Sequence, residues 1–424
     1  MRILLLGSGG REHALAWKIS QSSLCTRLYL APGNAGTTLL GTHCPIAVTD
    51  FEAIASLCLK EQIDMVVVGP EEPLVNGIRE FLTKQQGLES LKIIGPGKVG
   101  AQLEGSKAFA KSFMERHGIP TARYKEFSAA NYEQGVVYLQ AHPLPIVLKA
   151  DGLAAGKGVL ICETTQEALQ GFEAMIREAR FGEAGKKVVV EQFLEGIEIS
   201  VFVLTDGTNY VLLPEAKDYK RIGVGDKGLN TGGMGAVSPV PFVDATLWSK
   251  IEQRVVIPTI NGLQQDGIPY CGFVFIGFMI VKGEPFVIEY NCRMGDPETE
   301  VVIPRLASDL VALLDAAALG QLQKQRVEVD PRAACTVVAV SGGYPEDYKK
   351  GYPISGLDQP HESLVFHMGT TRQEGQVLTS GGRVLTVTSF ANSVTEAAAR
   401  SQQVQQTIQF NDKYCRTDIG YEFL

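Results

Sequence analysis

The first 100 residues of the chain alternate short apolar runs with stretches that have a helical pattern, and each run is followed by glycine or proline. The runs are RILLL (2–6), RLYLA (27–31), DMVVVG (64–69) and LKIIG (91–95). This β–α–β rhythm predicts an open parallel sheet, in which ligands bind at the carboxyl ends of the strands. No other feature constrains the fold as strongly.

The rest of the chain predicts less regular structure of α/β and α+β type. A helix is expected at about 98–116, a glycine-rich hairpin at 145–161, a second hairpin at 199–213, and long buried strands at 270–282 and 285–292. The predicted organisation is an N-terminal open parallel α/β domain (1–102), a central region (103–325) with a glycine-rich flap subdomain at about 121–195, and a small C-terminal α/β cap (326–424).

Composition narrows the class of protein. The 424 residues are 45% hydrophobic and 20% charged, with a net charge of −8, which argues against nucleic-acid and anionic-membrane partners. The longest apolar stretch, 271–281, is shorter than the ~20 residues that span a bilayer. Eight scattered cysteines without a C-x-x-C pair indicate reduced thiols, so a cytoplasmic location is expected.

Three loops follow the first three strands and are expected to share one crevice. GSGGREHA (7–14) lacks the third glycine of a dinucleotide fingerprint, yet its backbone N–H groups and Arg11 suit a single phosphate. PGNAGT (32–37) and GPEEPLVNG (69–77) offer Asn34, Glu71 and Asn76 to the hydroxyls and amine of a sugar. The alternative for all three loops is ordinary turn chemistry without a ligand.

The stretch KADGLAAGKGV (149–159) is rich in glycine but is not a P-loop, because Lys157 is followed by Gly158. Its flanks are strand-like, which predicts a hairpin flap. Such a flap can fold over a triphosphate, with Lys149 as a fixed counter-charge. The alternative is a mobile surface hairpin.

The segment PFVIEYNCRMGDPE (285–298) places Glu289 and Asn291 on one face of a predicted strand, followed by Arg293. Oxygen donors of this kind suit a hard cation that carries phosphate oxygens, whereas the plainer interpretation is a polar stripe on an edge strand. The strand end VEQFLEGIE (190–198) fits an adenine and ribose site or an ordinary polar strand end. No nucleophile motif is present, so a covalent enzyme intermediate is not expected.

Taken in order, seven segments of the chain resemble the glycinamide ribonucleotide synthetase family of the ATP-grasp superfamily, over essentially the whole chain. The segments are GSGGREHA, PGNAGT, VVGPEEPLVNG, LEGSKAFAK, KADGLAAGKGV, NTGGMGAVSPVP and EYNCRMGDPE. The resemblance implies that 103–325 is an ATP-grasp domain. It also implies an ADP-forming ligase that joins glycine to 5-phosphoribosylamine through glycyl phosphate, the second step of purine biosynthesis.

The resemblance also implies residue roles. The implied metal ligands, for Mg²⁺ or alternatively Mn²⁺, are Glu289 and Asn291, and the implied catalytic residues are Arg293, Lys220 and Asp218. The implied ATP-binding residues are Lys107, Lys149, Gly152, Gly156, Lys157, Gly158, Glu191, Phe193, Leu194 and Glu198. The implied substrate-binding residues are Gly9, Gly10, Arg11, Asn34, Gly36, Pro70, Glu71 and Asp296.

Other functions stay open on the sequence alone. They are another ATP-grasp carboxylate–amine ligase or carboxylase of purine metabolism, a nicotinamide-dependent oxidoreductase suggested by GSGG, and a non-catalytic nucleotide-binding regulator. The expected partners are small molecules, and the expected state is a monomer or a weak homodimer. Many family members have histidine where this chain has Tyr219, and glutamate where it has Gln192.

Overall fold

The computed structural model describes residues 1–153, 158–178 and 180–423. The strands are β1 (Arg2–Gly7), β2 (Arg27–Pro32), β3 (Thr42–His43), β4 (Met65–Val68), β5 (Lys92–Ile94), β6 (Tyr124–Ser128), β7 (Ile146–Ala150), β8 (Val159–Cys162), β9 (Lys187–Gln192), β10 (Ile197–Thr205), β11 (Tyr210–Leu212), β12 (Lys217–Asp218), β13 (Arg221–Gly223), β14 (Lys227–Asn230), β15 (Gly235–Ser238), β16 (Gly272–Val281), β17 (Glu284–Asn291), β18 (Ala333–Val340), β19 (Leu364–His367), β20 (Thr370–Gln373), β21 (Gln376–Thr379) and β22 (Arg383–Ala391). The helices are α1 (Gly10–Ile19), α2 (Phe51–Glu61), α3 (Glu71–Val75), α4 (Ile78–Thr83), α5 (Gln102–Gly105), α6 (Lys107–Arg116), α7 (Tyr132–Ala141), α8 (Thr165–Ile176), α9 (Ala245–Ile251), α10 (Ile257–Gln265), α11 (Thr299–Arg305), α12 (Leu310–Ala318) and α13 (Val394–Thr407).

The N-terminal sheet is parallel and has the order β3-β2-β1-β4-β5, which confirms the predicted open α/β architecture. β1 lies at its centre, and Ile3 to Leu6 are fully buried because both faces of the sheet are covered. The chain leaves β1, β2 and β4 at the same edge. The three predicted crevice loops therefore lie side by side.

The flap region forms its own antiparallel sheet of order β6-β9-β7-β8, packed on α7 and α8 around a separate apolar core. β7 and β8 pair as a hairpin, as predicted, with Lys149 opposite Val159. Gly152 and Gly158 flank the hairpin tip. The predicted ATP contacts Gly156 and Lys157 lie outside the described residues.

The predicted helix at 98–116 is instead two helices, α5 and α6, separated at Ser106. Ser106 has extended backbone angles, and its hydroxyl caps α6 by accepting the N–H of Phe109. The carboxylate of Asp151, far along the chain, accepts hydrogen bonds from the Ser106 hydroxyl at 2.9 Å and the Ala108 N–H at 2.8 Å. This tertiary contact places Lys107 at the first position of α6, beside the flap hairpin.

The central sheet has the order β11-β10-β16-β17, and the long buried strand predicted at 270–282 is β16. The C-terminal sheet has the order β12-β15-β18-β22-β19 and is covered by α13. Two of its strands, β12 and β15, come from the middle of the chain, so the cap predicted from residue 326 onward is built partly from residues 217–238. Within the described residues, no helix is long and apolar enough to cross a membrane.

Candidate functional site

Glu289 and Asn291, the predicted metal pair, lie at the end of β17 and share one face of the strand, as the sequence predicts. A bulge shifts the register, because Val287 pairs with Phe278 whereas Glu289 pairs with Gly277. Beyond the bulge, Glu289 and Asn291 are two residues apart on one face. Neither side chain has a hydrogen-bond partner among the described residues, so the carboxylate oxygens of Glu289 and the amide oxygen of Asn291 are available to a ligand.

Four cations surround Glu289. Burial disfavours its charge, but Lys220, Lys149, Lys107 and Arg293 together hold the pKa of Glu289 below its ordinary value. No set of three or more His, Cys, Asp or Glu side chains that could bind a metal is assembled in the described part of the chain. A charged carboxylate beside an amide oxygen fits a hard cation such as Mg²⁺, which usually keeps waters and phosphate oxygens as its remaining ligands.

A buried ion-pair chain lies under the predicted adenine end of the site. The ammonium of Lys149 is 3.0 Å from Oε2 of Glu191 and also donates to the Ile288 carbonyl at 3.0 Å. Lys111 binds the same Glu191 oxygen at 3.2 Å. Oε1 of Glu191 is buried and has no hydrogen-bond partner among the described residues, so it is an open acceptor for a donor such as an exocyclic amine.

The remaining predicted ATP contacts flank this ion-pair chain. Phe193 and Leu194 follow β9 directly in a half-buried loop. Lys107 has no side-chain hydrogen bond among the described residues, and burial lowers its pKa although Glu289 opposes that change. It is therefore a free, partly desolvated cation facing the metal pair, which suits a phosphate group.

The predicted catalytic residues Asp218 and Lys220 lie beside Glu198 and beside a further acid, Glu298, that was not predicted from the sequence. Lys220 is 2.5 Å from Glu198, and despite burial the neighbouring Asp218 and Glu198 raise its pKa well above the ordinary value. Burial, followed by the charge of Asp218, raises the pKa of Glu298 to about 8. The Ser200 hydroxyl donates to Glu298 at 3.2 Å, whereas Asp218 has no hydrogen-bonded side-chain partner in the part of the chain described.

Arg293 lies between the predicted metal pair and the loop at 69–77, which is one of the loops predicted to bind a sugar. It donates to Glu104 at 2.7 Å, to Glu71 at 3.3 Å and to the Met294 carbonyl at 3.2 Å. Burial opposes its charge, but Glu104 and Glu71 hold the pKa of Arg293 above its ordinary value. Three of the five guanidinium N–H groups are used, so two remain for a substrate anion.

Two of the N–H groups that GSGGREHA is expected to offer to a phosphate are already hydrogen-bonded at the N-terminus of α1. The Gly9 N–H donates to Glu12 at 2.6 Å, and the Arg11 N–H donates to Asp296 at 3.2 Å. The Arg11 guanidinium is itself paired with Glu12 at 2.6 Å. A ligand placed here would meet the carboxylates of Glu12 and Asp296, each of which is paired with an arginine, Arg11 and Arg383 respectively.

Two further substrate contacts differ in character. The Asn34 amide donates to the carbonyls of Ser8 and His367, each at 2.8 Å, and its oxygen accepts the Gly36 N–H at 2.9 Å. The Asn34 amide therefore holds two loops together with its N–H groups, and its oxygen keeps one lone pair for the predicted contact with a sugar hydroxyl. Glu71, which follows Pro70 at the start of α3, is half-exposed and faces the crevice beside Arg293.

The structure therefore brings together Glu289, Asn291, Arg293, Asp218 and Lys220, with Glu71 and Asp296 at the end predicted to bind a sugar. Sequence reasoning missed Glu104 and Glu298. Both stand inside quoted segments, LEGSKAFAK and EYNCRMGDPE. What could have found them is the presence, in each segment, of an acid within five residues of a predicted site cation, Lys107 for Glu104 and Arg293 for Glu298.

Comparisons with known proteins agree on one family. Models described as phosphoribosylglycinamide synthetase match residues 1–104 (N domain), 105–299 (ATP-grasp (A) domain) and 334–422 (C domain). The phosphoribosylamine–glycine ligase of Haemophilus influenzae is 46% identical over 99% of this chain and 98% of its own length. That of Chlorobaculum tepidum is 46% identical over 100% of both chains.

Solved structures give the same answer for the fold. The crystal structure of the phosphoribosylamine–glycine ligase from Thermotoga maritima has a TM-score of 0.86 at 34% identity, covering 99% of this chain and 100% of that one. The biotin carboxylase domain of the 2-oxoglutarate carboxylase from Hydrogenobacter thermophilus, solved with MgADP and bicarbonate, has a TM-score of 0.73 at 17% identity, covering 98% of this chain and 91% of that one. With three family models spanning most of its length, the chain belongs to the phosphoribosylglycinamide synthetase family and has the ATP-grasp fold.

Proposed function

We propose that this chain joins glycine to 5-phosphoribosylamine, with conversion of ATP to ADP and phosphate, and that the reaction passes through glycyl phosphate. The observation that carries the proposal is the pairing of Glu289 and Asn291, both without partners in the described structure, beside the free cation Lys107. The curated relatives named phosphoribosylamine–glycine ligase align over almost their whole length, which supports the same activity here.

The reaction has two steps, and neither step needs a nucleophile from the enzyme. A glycine carboxylate oxygen attacks the γ-phosphorus of ATP, and the bond to the bridging oxygen of ADP breaks. The sugar amine then attacks the carbonyl carbon of glycyl phosphate, the carbon–oxygen bond to phosphate breaks, and the nitrogen loses one proton. Positioning and charge neutralisation are the main requirements of such phosphoryl transfer.

The cation at Glu289 and Asn291 would neutralise charge on the phosphates, and Mg²⁺ is the proposed ion. Lys107, Lys149 and the flap hairpin that contains Gly152 and Gly158 hold the phosphate chain. The open Glu191 oxygen receives the adenine amine, and Phe193 and Leu194 line the base. Glu198 exchanges its ion pair with Lys220 for the ribose hydroxyls.

Glycine binds between charges of opposite sign. Its carboxylate takes the two unused N–H groups of Arg293, and its ammonium faces the open carboxylate of Asp218. Lys220 stabilises the negative charge that develops on the transferred group. The amine end of the sugar lies against Glu71, Asp296 and the turn at Gly9 and Gly10, where acidic groups predominate.

The test is ADP and phosphate release in the presence of ATP and Mg²⁺, with glycine and freshly made phosphoribosylamine added singly and together. ADP formation only when both are present, without AMP, is the expected result. ADP formation with a different acid would keep the ATP site but reassign the substrate. ATP binding without turnover under any combination would overturn the ligase proposal in favour of a non-catalytic role.

A further inference from the structure

Glu104 holds the segment that directly follows the metal pair. Its side chain is only 6% exposed, and its Oε1 accepts a hydrogen bond from Nη2 of Arg293 at 2.7 Å. Its Oε2 accepts the backbone N–H of Cys292 at 2.9 Å, with the Cys292 thiol at 3.1 Å. One carboxylate thus fixes both residues that follow Asn291.

The second carboxylate on Arg293 is a weaker restraint. Glu71 lies 3.3 Å from the guanidinium and has a side chain that is 34% exposed. Water therefore weakens the contact between Glu71 and Arg293, and a substrate anion can displace Glu71 from the guanidinium. The contact between Glu104 and Arg293 is short, charge-assisted and shielded from water. The orientation of Arg293 is thus set mainly from α5, not from the sugar loops.

We propose that Glu104 is a positioning residue, which fixes the guanidinium of Arg293 and, through the Cys292 N–H, the direction of the Asn291 amide. It contacts neither the metal pair nor the open Arg293 N–H groups, so it acts only through these neighbours. The inference rests on the proposed function for its effect on turnover, but its effect on metal binding is independent of the substrate. Residues that orient metal ligands typically change metal affinity or activity about 10–100-fold when removed.

The experiment compares Glu104→Ala and Glu104→Gln with Glu215→Gln as a matched control. Glu215 is also a buried glutamate that accepts a backbone N–H, from Val240 at 3.0 Å, and none of its hydrogen bonds among the described residues is to a residue of the candidate site. Each protein is titrated with ADP in the presence and absence of Mg²⁺ by calorimetry. The kcat, the KM for glycine and the melting temperature are measured alongside.

For Glu104→Ala, we expect roughly 10–100-fold weaker ADP binding in Mg²⁺, unchanged ADP binding without Mg²⁺, and a similar loss of kcat. Glu104→Gln, which keeps the size and one acceptor, should recover part of both losses. Equal loss of ADP binding with and without Mg²⁺ would overturn the proposal, because it indicates general distortion. A lowered melting temperature with wild-type Mg²⁺ dependence and kinetics, as expected of Glu215→Gln, would also overturn it.

The two proposals fail in different ways. A wild-type protein that forms no ADP from glycine and phosphoribosylamine refutes the ligase activity, while the Mg²⁺-dependent ADP titration still decides the role of Glu104. If Glu104→Ala does not fold, Glu104→Gln is used in its place. The ADP titrations of Glu104→Gln with and without Mg²⁺ then decide between a positioning role and general distortion.

Discussion

Gly277 lies directly opposite Glu289 across the β16–β17 ladder, and a methyl group at position 277 would come within 3.1 Å of the Glu289 Cγ. The side chain of Glu289, the proposed metal ligand, therefore rests over a residue that has no side chain of its own. We expect Gly277→Ala to displace Glu289 by a few tenths of an ångström and to weaken the Mg²⁺ dependence of ADP formation about 10-fold. A Mg²⁺ titration of activity measures this, and an unchanged half-saturation would show that Glu289 does not bind the cation from this position.

Removal of the Glu289 carboxylate has a larger expected effect. Glu289→Ala deletes a charged ligand and leaves Lys107, Lys149 and Lys220 without their shared counter-charge. Turnover should fall about 100-fold or more, because metal assistance contributes several kcal/mol to phosphoryl transfer. Circular dichroism should show a folded protein, and near-normal ADP release would refute the metal assignment.

Tyr219 has a structural role in this chain although it stands between two predicted catalytic residues. Its ring is buried on the opposite side of β12 from Asp218, and its hydroxyl donates to Glu422 at 2.7 Å. We expect Tyr219→Phe to lower the free energy of unfolding by about 1 kcal/mol, the typical value for one hydrogen bond. The kcat should not change, so a large fall in kcat at unchanged stability would assign Tyr219 to the reaction.

The contact between the N-terminal and C-terminal regions should be sensitive to acid. Nδ1 of the buried His13 accepts the backbone N–H of His367 at 2.8 Å. Burial, together with the facing His367, lowers the pKa of His13 to about 3, and burial and Arg372 lower the pKa of His367 to about 4. Both rings are therefore neutral in the folded protein at pH values where the unfolded chain, with histidine pKa near 6.5, binds protons.

The sign of the effect follows from this difference in bound protons. The stability due to neutral His13 is complete above pH 6.5 and is lost as the pH falls toward 3, because the unfolded state takes up the proton first. His13→Asn keeps an acceptor for the His367 N–H but does not titrate. Between pH 6 and 4, wild type should lose stability faster than this variant by up to ~1.4 kcal/mol per pH unit. Urea unfolding across this range measures the slopes, and parallel slopes would contradict the assignment.

Local sequence pattern predicted those features that depend on neighbours in the chain. The alternation along β17 was enough to place Glu289 and Asn291 on one face, and the apolar runs were enough to predict the parallel sheet. The break at Ser106 was missed because it is stabilised by Asp151, 45 residues away. The contact of Asp296 with the N-terminus of α1 is not predictable for the same reason, since Asp296 is 285 residues from Arg11.

The C-terminal sheet cannot form early in synthesis, although two of its strands, β12 and β15, come from the middle of the chain. β15 pairs with β18, and β18 pairs with β22, so the segment that carries Asp218 and Lys220 lacks a sheet until residues 333–391 exist. The N-terminal parallel sheet can form much earlier, as domains generally fold during synthesis. A nascent chain therefore passes through a stage with a formed N-terminal sheet and without the sheet that holds β12, and a premature stop before β22 leaves β18 with an open sheet edge.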